Sequence, residues 1–233
     1  MNASLFPKVV LFDLDGTLLD SAPDMLATVN RMRAARGHGP MALEALRPHV
    51  SKGSRAMSAA AFPELGGEVP PEMIREFLDV YEQVLGRHSV LFEGVPALLD
   101  AIEAAGSRWG IVTNKPEYLA RQVLPGLGWE DRCAVLVGGD TLPQRKPHPL
   151  PLLHAAAGLG VGIDDCMYVG DDQRDIDAAR AAGMRSVVAL WGYRPDDDDP
   201  AGWGGDAMAA SACDVLACFS PGAPSWRAPE RRT

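Results

Sequence analysis

Residues 9–20 read VVLFDLDGTLLD and set two aspartates, Asp13 and Asp15, at the end of a short apolar run. Val9 to Phe12, bounded by Gly16, predicts a buried strand of a parallel sheet, apolar on both faces. Residues i and i+2 of a strand point the same way, so Asp13 and Asp15 are expected to face one pocket while Leu14 turns toward the core. Neighbouring carboxylates repel, which favours one ionised and one protonated group. An ionised carboxylate can attack phosphorus, and a protonated one can give its proton to a departing alcohol oxygen. Aspartates at a strand end can also do no more than brace a turn, so the pair takes its weight from what else reaches the same pocket.

Three later strings supply candidates. A predicted strand Trp109–Val112 ends in Thr113-Asn114-Lys115-Pro116. A hydroxyl and backbone N–H groups there could face the negative oxygens of a phosphoryl group in transfer, or could simply cap the next helix. Lys146 lies in RKPHP ahead of a helix beginning near Leu150. Its compact ammonium suits neutralising Asp13 and holding a phosphate; Arg145 could do so less well. Residues 167–175, MYVGDDQRD, are a strand ending in GDDxxD. Magnesium takes oxygen ligands and keeps several waters, so one or two carboxylates beside Asp13 suffice. Asp172 is open between approaching a metal and capping the helix that follows.

Taken in order, DxDGT, the Thr113-Asn114 pair, KPxP and GDDxxD resemble the four signatures of the haloacid dehalogenase superfamily, whose members mostly transfer phosphoryl groups through an aspartyl-phosphate. The resemblance runs from Lys8 to about Ala210. It implies Asp13 as nucleophile, Asp15 as general acid and base, Thr113 on the phosphate with Asn114 beside it, and Lys146 as the neutralising lysine. It also implies a Mg2+ ion held by Asp13, the backbone carbonyl of Asp15 and Asp171, with Asp175 a ligand through water or a partner that orients the site. Within the superfamily the chain is similar to the phosphoglycolate phosphatase-like group. VSKGSRAM, VTNKP and Gly192-Tyr193-Arg194-Pro195 followed by DDDDPAGWGGDA look more specifically like N-acetylmuramic acid 6-phosphate phosphatases. The implied function is a magnesium-dependent phosphomonoesterase on a small phosphorylated metabolite. A sugar phosphomutase would keep both aspartates too. A catalytically silent phosphate-binding module would be expected to lack one of Asp13, Lys146 or Asp171, and dehalogenases and phosphonatases do without a residue like Asp15.

The elements that must position these residues alternate. From Val95 onward helices are predicted at Val95–Ala105, Glu117–Leu127, Leu150–Leu159 and Ile176–Ala182. Strands are predicted at Trp109–Val112, Val135–Val137, Cys166–Val169 and Ser186–Leu190. The fold class is α/β: a Rossmann-like parallel sheet with helices on both faces and chemistry at the carboxyl ends of its strands. Between the first and second signatures the chain reads as helices only. Ser21 can cap the first, with Pro23 early in it and Met25, Leu26, Val29 and Met32 at three-four spacing. Further pieces cover Ala42–Val50, the residues after Gly53, and Pro71–Leu85, with no strand signal between Leu18 and Val90.

The organisation expected is a core of residues 1–18 and 92–219, an inserted all-helical cap at 19–91, and a loose tail at 220–233. Such a cap would close over the pocket on hinges near Leu18–Ser21 and Ser89–Gly94. Within it Ser51-Lys52-Gly53-Ser54-Arg55 opens a helix, so Gly53 and Ser54 N–H groups and Arg55 could meet an anionic substrate, while Lys52 reads as solvated.

Composition sets the limits. The 233 residues are 47% apolar and 23% charged, ordinary globular material with room for one medium core and a smaller insert. A net charge of −9 argues against nucleic acid and anionic lipid as partners, but not against a phosphorylated small molecule bound beside a cation. No apolar run is long enough to span a membrane, and the N-terminal run lacks a signal-peptide ending. Cys133, Cys166, Cys213 and Cys218 have no paired spacing and read as reduced, which fits a cytoplasmic protein, expected as a monomer or weak homodimer.

Overall fold

The computed structural model describes residues 6–194 and 198–219; the tail expected at 220–233 and the start of the Asp196–Asp199 run lie outside the described residues. In chain order the elements are β1 (Val9–Phe12), β2 (Leu19–Asp20), α1 (Ala22–Ala35), α2 (Leu43–Leu46), α3 (Gly53–Ala61), α4 (Pro71–Val84), β3 (Val90–Leu91) and α5 (Val95–Ala104). They continue with β4 (Arg108–Val112), α6 (Glu117–Leu127), β5 (Cys133–Val137), α7 (Leu150–Gly158), β6 (Cys166–Gly170), α8 (Gln173–Ala182), β7 (Arg185–Ala189), β8 (Ala207–Ala209) and α9 (Ala212–Val215).

The main sheet has six strands in the order β5-β4-β1-β6-β7-β8, every pairing parallel. β1 is central and wholly buried, which is why its four residues are apolar on both faces. One face is covered by a cluster that includes Leu98, Ile102, Trp109 and Val123, the other by one that includes Leu152, Ala155, Tyr168 and Ala179. The chain leaves β1 to pair with β4 on one side and β6 on the other, so the switch in strand order falls at Asp13. β8 and α9 had no counterpart in the sequence reading; AMA is too short and too bland to signal a strand, and only β7 gives it a partner.

Helices α1 to α4 form an insertion with its own apolar cluster, in which Met25, Val29, Met57, Phe77 and Tyr81 pack together. The insertion is not purely helical. β2 and β3 pair antiparallel, Leu19 with Leu91 and Asp20 with Val90, where the chain enters and leaves it. Two residues per strand carry no alternation to read, so this ladder was invisible in sequence. The N-terminus of α1 also departs from expectation. The Ser21 side chain makes no cap, and the Ala22 N–H donates to the Tyr193 hydroxyl at 2.9 Å and to Asp20 Oδ1 at 3.3 Å.

Candidate active site

Three adjacent strands deliver the candidate residues to one place. Asp13 and Asp15 follow β1, Thr113, Asn114 and Lys115 follow β4, and Asp171 follows β6. Their carboxyl ends open into a cavity of about 340 Å³ that Asp13, Asp15, Thr113, Asn114, Lys146 and Asp175 line from the core. Gly53, Ser54, Met57 and Tyr81 line it from the insertion. Leu14 is buried in the core, as expected.

Lys146 is almost completely enclosed. Its Nζ lies 2.6 Å from Asp175 Oδ1 and 3.1 Å from Asp13 Oδ1, and donates to the Val112 carbonyl at 3.0 Å and the Tyr168 hydroxyl at 2.7 Å. Burial alone would lower its pKa, but the Asp13 and Asp175 charges outweigh that and hold it above the ordinary lysine value. The Leu14 N–H donates to the same Asp13 oxygen at 2.7 Å. Both contacts therefore fall on Oδ1, and Oδ2 is left for chemistry.

Asp13, Asp171 and Asp175 each offer an oxygen within 4.8 Å of the others. Asp171 accepts from Thr17 Oγ1 at 2.9 Å and from the Tyr193 N–H at 2.8 Å. Glycines make room for this carboxylate and its neighbour: a Cβ on Gly16 or Gly192 would collide with Asp171, and one on Gly170 with Asp175. Burial, and then the charges of Asp13 and Asp175, push Asp171 well above the carboxylate range. Burial pushes Asp175 up to about 7, with Lys146 opposing. Three crowded carboxylates facing one lysine are short of positive charge, which is the condition a divalent cation relieves. The oxygen-only donor set fits magnesium. Asp172 takes the other of its two options: it caps α8, accepting from the Arg174 N–H at 2.9 Å and pairing with the Arg174 guanidinium at 2.7 Å. Asp175 closes the box by accepting the Asp172 N–H at 3.1 Å.

Residues 10–189 match the sequence model of the haloacid dehalogenase-like hydrolases. The chain belongs to that family. It is 63% identical over 203 residues, 87% of this chain and 92% of the relative, to a phosphoglycolate phosphatase of Xanthomonas campestris pv. campestris strain 8004. It is 44% identical over 202 residues, 86% of this chain and 89% of the relative, to an N-acetylmuramic acid 6-phosphate phosphatase of Pseudomonas aeruginosa. The crystal structure of a predicted phosphoglycolate phosphatase from Haemophilus somnus 129PT superposes with a TM-score of 0.81 at 26% identity, covering 94% of this chain and 100% of the other.

Within this haloacid dehalogenase-like hydrolase, two expected substrate residues are placed differently from the rest. Arg55 does not line the cavity; its side chain is exposed and its Nη1 donates to the Val69 carbonyl at 2.8 Å. Asn114 does line it, but its amide is committed, Nδ2 donating to the Lys146 carbonyl at 3.0 Å and tying the lysine loop to the β4 loop. Its Oδ1 is buried without a partner.

Other residues went unassigned in the sequence. Each of the two aspartates has its own lysine: Lys115 Nζ sits 3.1 Å from both Asp15 oxygens. Arg174 reaches across from α8 to the Ser51 carbonyl of the insertion. Lys115 and Arg174 stood inside quoted strings, TNKP and GDDQRD, yet nothing in their spacing named a partner.

Proposed function

We propose that this phosphomonoester hydrolase works through a phosphoaspartate on Asp13, with Mg2+ as its metal. The observation that carries this is the pairing within one cavity of two aspartates, each with a buried lysine, beside a cation-deficient carboxylate cluster. Asp13 and Asp171 would hold the ion, with the Asp15 carbonyl, while Asp175 orients Lys146 or binds through water. When bound, the ion would neutralise phosphoryl charge and hold the phosphate in line for attack.

In the first half-reaction Asp13 Oδ2 bonds to phosphorus and the ester P–O bond breaks, its electron pair leaving with the alcohol oxygen. That oxygen takes a proton from Asp15. In the second, Asp15 takes a proton from water, the water oxygen bonds to phosphorus, and the Asp13–phosphorus bond breaks to release inorganic phosphate. The Thr113 hydroxyl would meet the phosphoryl oxygens, and Lys146 balances the charge on Asp13. Residues 19–91 act as a cap: the β2–β3 pair is the hinge, and α3 with α4 shuts water out.

The alcohol being released carries a carboxylate on this reading. Lys146, Lys115 and Arg174 are all paired with aspartates, whereas Lys52 and Arg145, also at the cavity wall, are in no ion pair among the described residues. Both relatives' named substrates are phosphate esters of acids. The cavity falls in the range of about 300–1,000 Å³ that holds a whole small molecule, and Met25, Val50, Met57, Phe77 and Leu78 supply an apolar wall. Glycolate would leave most of that wall untouched, which favours the larger acid. The test is turnover of p-nitrophenyl phosphate with magnesium or EDTA, fluoroberyllate trapping on Asp13, and kcat/KM for three esters. N-acetylmuramic acid 6-phosphate should exceed both phosphoglycolate and N-acetylglucosamine 6-phosphate, which lacks the lactyl carboxylate, by about tenfold or more. No magnesium-dependent turnover, or a bare Asp13 after trapping, would remove the mechanism. Equal rates for the two sugar phosphates would remove the acid preference.

A further inference from the structure

Lys115 is the buried cation that the chemistry above leaves without a task. Its side chain is 3% exposed, and an ammonium so enclosed needs all of its N–H groups satisfied. Two of its partners are the Asp15 oxygens, at 3.1 Å each. The third is the hydroxyl of Tyr81, whose ring also lies beneath the ammonium, 4.6 Å from Nζ to the centroid. Tyr81 is itself buried and belongs to α4 of the insertion, braced by Phe77 with ring centroids 6.2 Å apart. Asp15 and Lys115 belong to the loops after β1 and β4. One lysine therefore joins the core acid to the insertion.

A carboxylate at the mouth of a strand is free to rotate about two bonds, and a proton donor is useful only when one oxygen stays within reach of the leaving group. Contact from one ammonium to both oxygens fixes the carboxylate plane. A lysine stem is itself flexible and needs a second hold to stay in one place. The Tyr81 hydroxyl and ring face hold the ammonium from the other side and confine it. We infer that Lys115 is a positioning residue for Asp15 and that Tyr81 anchors it, so the proton donor is set in place by the seated insertion; this rests on the reading of Asp15 as general acid.

The test is a leaving-group series. Ethyl phosphate requires a proton at its departing oxygen, phenyl phosphate less so, and p-nitrophenyl phosphate barely. Asp15→Asn, Lys115→Met, Lys115→Arg and Tyr81→Phe are compared on all three, with kcat and KM separated. Lys115→Met should lower kcat/KM, which reports on formation of the phosphoaspartate alone, about 100-fold for ethyl phosphate, the lower end of what general acids supply, and less than about threefold for p-nitrophenyl phosphate; kcat, which includes the second half-reaction where Asp15 is the base, should fall for both. Tyr81→Phe keeps the ring and should show the same pattern more weakly; it carries the test if Lys115→Met does not fold. Lys115→Arg should recover part of the loss. The double variant Asp15→Asn with Lys115→Met should be no worse than Asp15→Asn alone, since both act through one group.

Equal losses of kcat/KM across the series, or an unchanged kcat on all three esters, would overturn the assignment of Lys115. If Asp15→Asn itself shows no leaving-group dependence, the general-acid reading falls first, and that outcome is distinct from a selective Asp15→Asn beside an unselective Lys115→Met.

Discussion

Lys146 Nζ lies closer to Asp175 Oδ1, at 2.6 Å, than to Asp13 Oδ1, at 3.1 Å. The lysine is thus shared between Asp13 and Asp175, and its loss strands both carboxylates. Lys146→Met is expected to lower kcat for p-nitrophenyl phosphate by about 100-fold or more. It should also cost about 3–5 kcal/mol of stability, because buried carboxylates are left unpaired. Urea unfolding beside steady-state kinetics checks both. Wild-type stability in the variant would mean that Asp13 and Asp175 find solvent or another cation.

The carboxylate cluster predicts how metal and pH combine. Asp175 rises to about 7 and Asp171 well above the carboxylate range, each chiefly through burial. A group whose folded pKa is raised binds its proton more tightly in the fold than in the open chain. Its stabilisation is complete below the unfolded carboxylate value of about 4 and is lost as pH climbs through the folded one. In EDTA the protein should therefore melt lower at pH 8 than at pH 5.5. Magnesium at 100 times its Kd should return about 2.7 kcal/mol at pH 8, or about 5–10 °C in Tm. The gain should be smaller at pH 5.5, where metal must displace protons. A metal response independent of pH would argue that these carboxylates are not the site.

Gly192 has no room for a side chain, because a Cβ there would meet Asp171. Gly192→Ala should push that carboxylate from its place and raise the magnesium concentration for half-maximal rate about 10–100-fold. KM for p-nitrophenyl phosphate at saturating magnesium should hardly move. A rise in substrate KM with unchanged metal dependence would place the residue on the substrate side.

Arg55 turns to the Val69 carbonyl rather than to the cavity. Arg55→Ala is expected to leave kcat/KM within about twofold on every ester and to cost about 1 kcal/mol for the lost hydrogen bond. A selective loss on N-acetylmuramic acid 6-phosphate would show that the side chain swings inward when substrate binds.

The order of apolar runs and the residue types at their ends were enough to specify an α/β fold with its chemistry after the first, second and later strands. Asp13, Asp15, Thr113, Lys146 and Asp175 line one pocket, and Asp171 stands behind it with an oxygen within 4.8 Å of those of Asp13 and Asp175, because a parallel sheet forces its strand ends to one edge. Gly53 and Ser54 open a helix, as their sequence predicts, and line the same cavity from the insertion.

Tertiary structure alone decided the partners. That Lys115 belongs to Asp15 and Tyr81, that Tyr193 receives the Ala22 N–H, and that Arg55 is held by the Val69 carbonyl all depend on contacts between separate elements. Periodicity records which face of an element is apolar, a local property of side chains. Which charged group meets which across a pocket is set by how those faces pack in three dimensions, and a single sequence carries no local trace of it.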